Sequence, residues 1–173
     1  EAKETVSRIE AYAYNLEDGK INKTKMEKSY IFEEQLNASW KQIKFSIPSV
    51  KAGTVIEYKY NITSELYWQF ADMIIQQSIP VMYAKYEVQI PEYFNYNIET
   101  RGGEFLKTEE VPTNQNFSVM GDDRQMSSVN CSSRQLTFTV NDLPALKDEP
   151  NVWCAEDFCT KVTFELKGIQ FPY

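Results

Sequence analysis

The sequence predicts an all-β fold, an antiparallel sandwich of two sheets, and three observations carry that prediction. First, apolar and polar residues alternate. In Thr54–Ser64 the residues Ile56, Tyr58, Tyr60 and Ile62 interleave with Glu57, Lys59 and Asn61, and in Val81–Ile90 Met82, Ala84, Tyr86, Val88 and Ile90 interleave with Lys85, Glu87 and Gln89. That is the period of strands buried on one face. Second, turn residues separate the runs at short intervals, giving about eight or nine strands. Third, helical periodicity is confined to at most one short helix near residues 65–78. The two long runs predict that Tyr58, Tyr60, Tyr86 and Val88 are buried and that Glu57, Lys59 and Glu87 are exposed.

Taken in order, Ser7–Tyr14 alternates with Ile9, Ala11 and Ala13 on one side and reads as a strand. Asp18-Gly19 then predicts a hairpin, because glycine tolerates the positive φ of primed turns, and Lys20–Met26 is its return arm. Tyr30-Ile31-Phe32 is a short apolar run. Trp40–Ile47 alternates through Ile43, Phe45 and Ile47 until Pro48 removes a backbone donor. Lys51-Ala52-Gly53 turns into the first long strand. Between the two long strands, Tyr67, Trp68, Phe70, Met73, Ile74 and Ile75 fit neither period, so a short helix and an irregular crossover remain equal alternatives. Phe94, Tyr96 and Ile98 mark a strand ending at Gly102-Gly103. Val111–Ser133 is polar on both faces and reads as a long surface loop or a weakly ordered hairpin. Leu136, Phe138 and Val140 resume the alternation, Asn141–Pro150 is a loop, and Val162, Phe164 and Leu166 define a last strand over Lys161–Lys167. One domain spanning residues 1–168 is expected, with residues 169–173 beginning a linker.

Composition narrows the function. The 173 residues carry a net charge of -7, and no Lys/Arg cluster reaches the density used for nucleic-acid binding. No apolar run approaches the roughly eighteen residues of a membrane span. The first residues lack the basic-then-apolar build of a signal peptide, so a leader is expected to have been removed or the chain to come from a longer one. Histidine is absent, which rules out a Ser-His-Asp or Cys-His pair and a His-ligated metal within these residues. Three cysteines are too few for a four-thiolate zinc site or a disulfide framework. The expectation is a chain without catalytic residues, cofactor or metal.

Candidate sites each have a plainer reading. The acidic pairs Glu33-Glu34, Glu109-Glu110, Asp122-Asp123 and Glu156-Asp157 sit outside any D-x-D-x-D-G loop and read as solvated faces rather than calcium sites. Trp68, Trp153 and the eleven tyrosines read first as core and cross-strand pairs, and second as a stacking platform for sugars or an extended peptide. Cys154 and Cys159 can form a disulfide only with a turn at Ala155-Glu156-Asp157, since the extended segment spans roughly 16 Å against the ~5.5 Å Cα separation of the bond. Asn22, Asn37, Asn61, Asn116 and Asn130 match the glycosylation pattern, a short motif in a chain rich in Asn, Ser and Thr.

Several stretches together carry a resemblance: AYAYNLEDGKINKTKM, YIFEE, WKQIKFSIPSVKAGTVIEYKYNITS, IPVMYAKYEVQIPEYFNYN and NDLPALKDEPNV. In order and spacing they resemble the β-rich domain of unknown function that precedes a transglutaminase-like core in cell-envelope proteins of Gram-negative bacteria. The resemblance implies an accessory, non-catalytic β-sandwich, exported to the periplasm or cell surface. Its partner would be the C-terminal transglutaminase-like domain of the same polypeptide, on which it would pack or to which it would present a peptide or glycan substrate. A free-standing carbohydrate- or peptide-binding module is the alternative. Family members carry further strands before the region matching Ser7, which implies an uncovered N-terminal sheet edge here. Where they have an Asn-Tyr-Arg-Ser-like stretch, this chain has Asp157-Phe158-Cys159-Thr160. The loop Asn141–Pro150, stiffened by Pro144 and Pro150, lies near the exit toward such a core, so Leu143, Leu146, Glu149 and Trp153 are the expected interdomain contact.

Overall fold

The computed structural model describes residues 4–66, 70–120, 126–147 and 158–170. Among them it shows eleven strands, one 3-10 turn at Lys28–Tyr30 and no α-helix. The all-β, antiparallel class expected from the sequence is observed, with the strands distributed over four sheets. The chain forms two compact units, Glu1–Leu66 and Tyr67–Tyr173.

The first unit contains β1 (Glu4–Glu17), β2 (Lys20–Lys25), β3 (Ile31–Gln35), β4 (Lys41–Phe45) and β5 (Val55–Ser64). One sheet has the order β2-β1-β5, and β3 pairs with β4 in a hairpin of its own. The predicted turn closes β1 onto β2: Asp18 and Gly19 have φ of 49° and 74°, and Glu17 faces Lys20. Positive φ at both central residues is the geometry that matches strand twist in a two-residue hairpin. Asn15 is buried and fixes the next turn. Its Nδ2 donates to the Ser49 carbonyl at 2.8 Å while its Oδ1 accepts from the Thr54 hydroxyl at 2.5 Å, so no polar atom of that amide goes unused. On β1 the register slips between Ser7 and Glu10, and Arg8 adopts φ 53°. This is a bulge, which the alternation of Ile9, Ala11 and Ala13 did not reveal.

The second unit contains β6 (Met73–Ile74), β7 (Val81–Pro91), β8 (Phe94–Arg101), β9 (Leu106–Met120), β10 (Met126–Leu143) and β11 (Lys161–Ile169). Its two sheets have the orders β7-β10-β9 and β6-β11-β8. Val88 and Ile90 of β7 and Leu136, Phe138 and Val140 of β10 meet Tyr96 of β8 and Val162 and Phe164 of β11 in one core. Phe138 and Phe164 touch edge to face, 6.3 Å between ring centroids. Two sheets sharing one apolar layer is a sandwich, and the alternation of each contributing strand placed its inward residues.

Three expectations are revised. Val111–Ser133 is not a loop: β9 and β10 pair in unbroken register from Leu106↔Val140 to Met120↔Met126. Both arms are polar on both faces, so hydrogen bonding carries the ladder and hydrophobic period gives no signal. Within residues 65–78, the described part holds the two-residue β6 and no helix; Tyr67, Trp68 and Gln69 lie outside the described residues. The last strand runs on to Ile169, and Gln170 N donates to the Tyr93 carbonyl at 2.9 Å, so residues 169 and 170 are tied to the sheet.

Candidate functional site

β5 carries the largest departure from the sequence prediction. All ten of its residues are exposed, Tyr58 at 57% and Tyr60 at 48%, where burial was expected. Its sidedness is as predicted. Cross-strand register puts Tyr58 beside Ala11, Ile56 beside Ala13 and Ile62 beside Val6, so these residues share one face of the sheet. Ala11 and Ala13 are fully buried beneath their larger neighbours, and Phe45 of β4 rests 5.8 Å from the Tyr58 ring. Beyond that contact Ile56, Tyr58, Tyr60 and Ile62 stay open to solvent, because β5 is the edge of its sheet and the period of two assigns sides without supplying a cover. Tyr58 and Tyr60 stack within 4° of parallel, 6.4 Å apart. Next to this face lies an open groove of about 920 Å³ at the β1 bulge, with Val6, Ile9, Met26 and Ile31 on its walls and Arg8, Glu10, Lys25 and Lys28 at its rim.

The opposite face of the same sheet is polar. Tyr12 and Tyr14 lie side by side, and the Lys23 ammonium sits over both rings, 3.9 Å from the first centroid and 5.0 Å from the second. Tyr14 donates to Glu57 at 2.5 Å and Lys59 pairs with Glu10 at 3.1 Å. A hydrogen bond with the Tyr14 hydroxyl raises the Lys23 pKa, and the hydrogen bond and charge of Lys59 hold the Glu10 carboxyl below its ordinary value. Glu17 is likewise lowered, first by its hydrogen bond with Lys51 and then by Asn22. A carboxyl whose folded pKa is depressed adds stability above its unfolded pKa and loses it as pH falls through the folded value. Thermal stability of the first unit is therefore expected to fall as the pH drops below the ordinary carboxylate value of about 4.5, and to fall less in a Glu10→Gln, Glu17→Gln variant. Melting curves of the two proteins across pH 3–7, roughly the window in which carboxyls titrate, check this; parallel curves count against it. All the ion pairs involved are exposed and screened, so the effect also shrinks with salt.

In the second unit the expected interdomain residues are separated. Leu143 is 1% exposed and belongs to the core, because Asp142, at φ 51°, breaks the alternation carried by Val140 and turns Leu143 inward. Leu146 is half-buried, and its N–H donates to the Gln77 carbonyl at 2.7 Å. Glu149, Trp153 and Cys154 lie outside the described residues, as do Asp122-Asp123 and Glu156-Asp157. Cys159 is a buried free thiol, as is Cys131. Glu33 and Glu34 are exposed and pair with Lys41 at 3.9 Å and Lys44 at 2.5 Å; Glu110 lies 3.8 Å from Arg134. Among the described residues no three His, Cys, Asp or Glu side chains are grouped to hold a metal.

Gln76, Thr160 and Gly102 had no sequence signal beyond the turn expected at Gly102. The Thr160 carbonyl accepts from Ile75 N at 2.9 Å and Gln76 N at 3.1 Å, and its own N–H donates to Gln76 Oε1 at 3.1 Å. Gln76 Nε2 donates to the Pro144 carbonyl at 3.0 Å, which anchors the loop that carries Leu146.

The model of one protein family, a domain of unknown function with a solved structure (DUF3857), matches residues 2–147. The match takes in the whole first unit and the strands of the second up to β10; β11, which supplies Val162 and Phe164 to the core, lies past it. No curated protein and no solved structure matches the chain.

Proposed function

Since the chain belongs to that family of unknown function, DUF3857, we propose that it is a non-catalytic accessory module of an exported transglutaminase-like protein, one that packs on the catalytic core or holds substrate against it. The sequence resemblance supplies the partner. The observation that carries a binding role is the open face of Ile56, Tyr58, Tyr60 and Ile62, a row of large apolar side chains left in water by a folded sheet. Such a row is costly to expose, and a surface of this kind marks an interaction site. The chemistry of the face is that of contact, with no charged or nucleophilic group on it.

The test uses the longer polypeptide in which this chain precedes such a core. Ile62→Asp and Tyr60→Asp are expected to leave each part folded while making the link between them sensitive to limited proteolysis. The isolated chain is expected to turn over no peptide or amide substrate. A parent reading frame without a transglutaminase-like core overturns the proposal, as does turnover by this chain that survives replacement of all three cysteines. The near-parallel Tyr58–Tyr60 stack favours one second reading, a sugar-stacking platform. Glycan binding lost in Tyr58→Ala, with no contact to a core, selects it.

A further inference from the structure

We propose that two copies of this chain associate through β5, edge to edge and antiparallel, in a register centred on Tyr58. β5 pairs only with β1 among the described residues, so every second residue turns its N–H and C=O away from the sheet. An edge of that kind accepts another strand, and its side chains decide which one.

Charge selects the second copy. In the register that places Tyr58 opposite its own counterpart, Glu57 lies opposite Lys59 of the second copy and Lys59 opposite Glu57 of the second copy. On the other face Ile56 lies opposite Tyr60 of the second copy, a β-branched and aromatic pair of the kind that stabilises sheets. Sliding by two residues in one direction sets Glu57 against Glu57; in the other it sets Lys59 against Lys59. Neighbouring in-phase registers are thus penalised by like charge, and only the centred one is complementary. Both charged groups are reachable: the Lys59 side chain is 69% exposed although it touches Glu10, and Glu57 is exposed although it accepts from Tyr14.

The other edges differ. β2, at the far side of the same sheet, carries Lys20, Lys23 and Lys25, a like-charged edge of the kind that resists strand addition. β9 has Pro112 in its edge. β7 has a similar Lys85-Tyr86-Glu87 stretch, but there Lys85 and Glu87 close an ion pair with each other at 2.9 Å. Pairing through β5 therefore joins the two open edges and leaves the lysine-rich ones outermost, in the order β2-β1-β5-β5-β1-β2. The contact uses the strand edge, so it leaves the apolar face of the proposed function available.

Sedimentation across a concentration series tests the association, with two single variants and their mixture. Lys59→Glu and Glu57→Lys each create two like-charged pairs across the dyad and are expected to weaken the dimer about tenfold. Each also disturbs a contact inside the chain, which is why the mixture decides. When combined, one copy offers two lysines and the other two glutamates, and heterodimers are expected to form with wild-type strength while intramolecular effects stay as they were. Tyr58→Cys, in a Cys154→Ser background, is expected to cross-link on mild oxidation, because directly opposite Cα atoms roughly 4.5–5.5 Å apart lie within disulfide range. A wild-type chain that stays monomeric at every concentration overturns the proposal. So does a mixture that fails to associate, or a cross-link that forms at Tyr86→Cys and not at Tyr58→Cys.

Discussion

Phe138→Ala is expected to cost the second unit about 3–5 kcal/mol, the range for an aromatic residue removed from a packed core. Phe138 is 1% exposed and lies on β10, the strand that bonds β7 on one side and β9 on the other. In register it faces Tyr86 and Thr108, and across the sandwich its ring meets Phe164 edge to face. The substitution therefore removes apolar transfer, opens a cavity between two sheets and discards a ring contact whose geometry adds about 0.5–1.5 kcal/mol of its own. The matching control is Tyr58→Ala, which removes a comparable ring from a residue 57% exposed and is expected to stay within about 1 kcal/mol. Amide exchange is the appropriate readout, since it reports β10 and β5 separately. Protection lost equally in both variants contradicts the assignment of the core to the second sandwich.

Most of that core was legible in the sequence because each of its strands is buried on one face only. Val88 and Ile90, Leu136, Phe138 and Val140, and Val162 and Phe164 all alternate with polar neighbours, and all are buried. The Asp18-Gly19 turn was legible because its backbone needs positive φ at two successive positions and few residue pairs offer it. The long β9–β10 hairpin was hidden for the opposite reason. Where both faces of a ladder are polar, the chain has no inside to advertise, and backbone pairing leaves no trace in side-chain pattern. β6 escaped because two residues are too few to show any period.

The candidate site was half legible, and the two halves have distinct physical origins. That Ile56, Tyr58, Tyr60 and Ile62 share a side follows from strand geometry alone. Whether that side is covered depends on what other elements reach it, a tertiary property that no local period encodes, so the same rule succeeded at Val88 and failed at Tyr58. The Leu143–Leu146 pair shows the limit on a finer scale. Both look like loop residues in the sequence, yet positive φ at Asp142 sends Leu143 into the core and leaves Leu146 half-buried, held by the Gln77 carbonyl.

Gly102→Ala is expected to destabilise the second unit by about 2–4 kcal/mol, the sum of two costs that other glycines of this chain allow to be measured apart. The first is conformational, since Gly102 has φ 77°, where a Cβ crowds the following carbonyl. The second is steric. A Cβ there would collide with Thr160 Oγ1 and stand 2.8 Å from its Cβ and 3.0 Å from its Cα. Thr160 has little room to withdraw: it is 2% exposed, and its backbone is held by Ile75, Gln76 and the Gln76 side chain. Gly19→Ala carries the conformational cost alone, with φ 74° and nothing within 4 Å of the new atom, and is expected to cost about 1 kcal/mol. Gly103→Ala meets neither obstacle and is expected to be nearly neutral. Adding Thr160→Gly to Gly102→Ala removes the colliding atoms and should bring the combined variant close to Thr160→Gly alone, apart from the conformational cost. Chemical denaturation of the four variants, combined as a double-mutant cycle at positions 102 and 160, gives the coupling directly. Zero coupling would place the whole effect in the backbone of Gly102; a coupling larger than the Gly19→Ala cost assigns it to the contact with Thr160, and through Gln76 to the loop that carries Leu146.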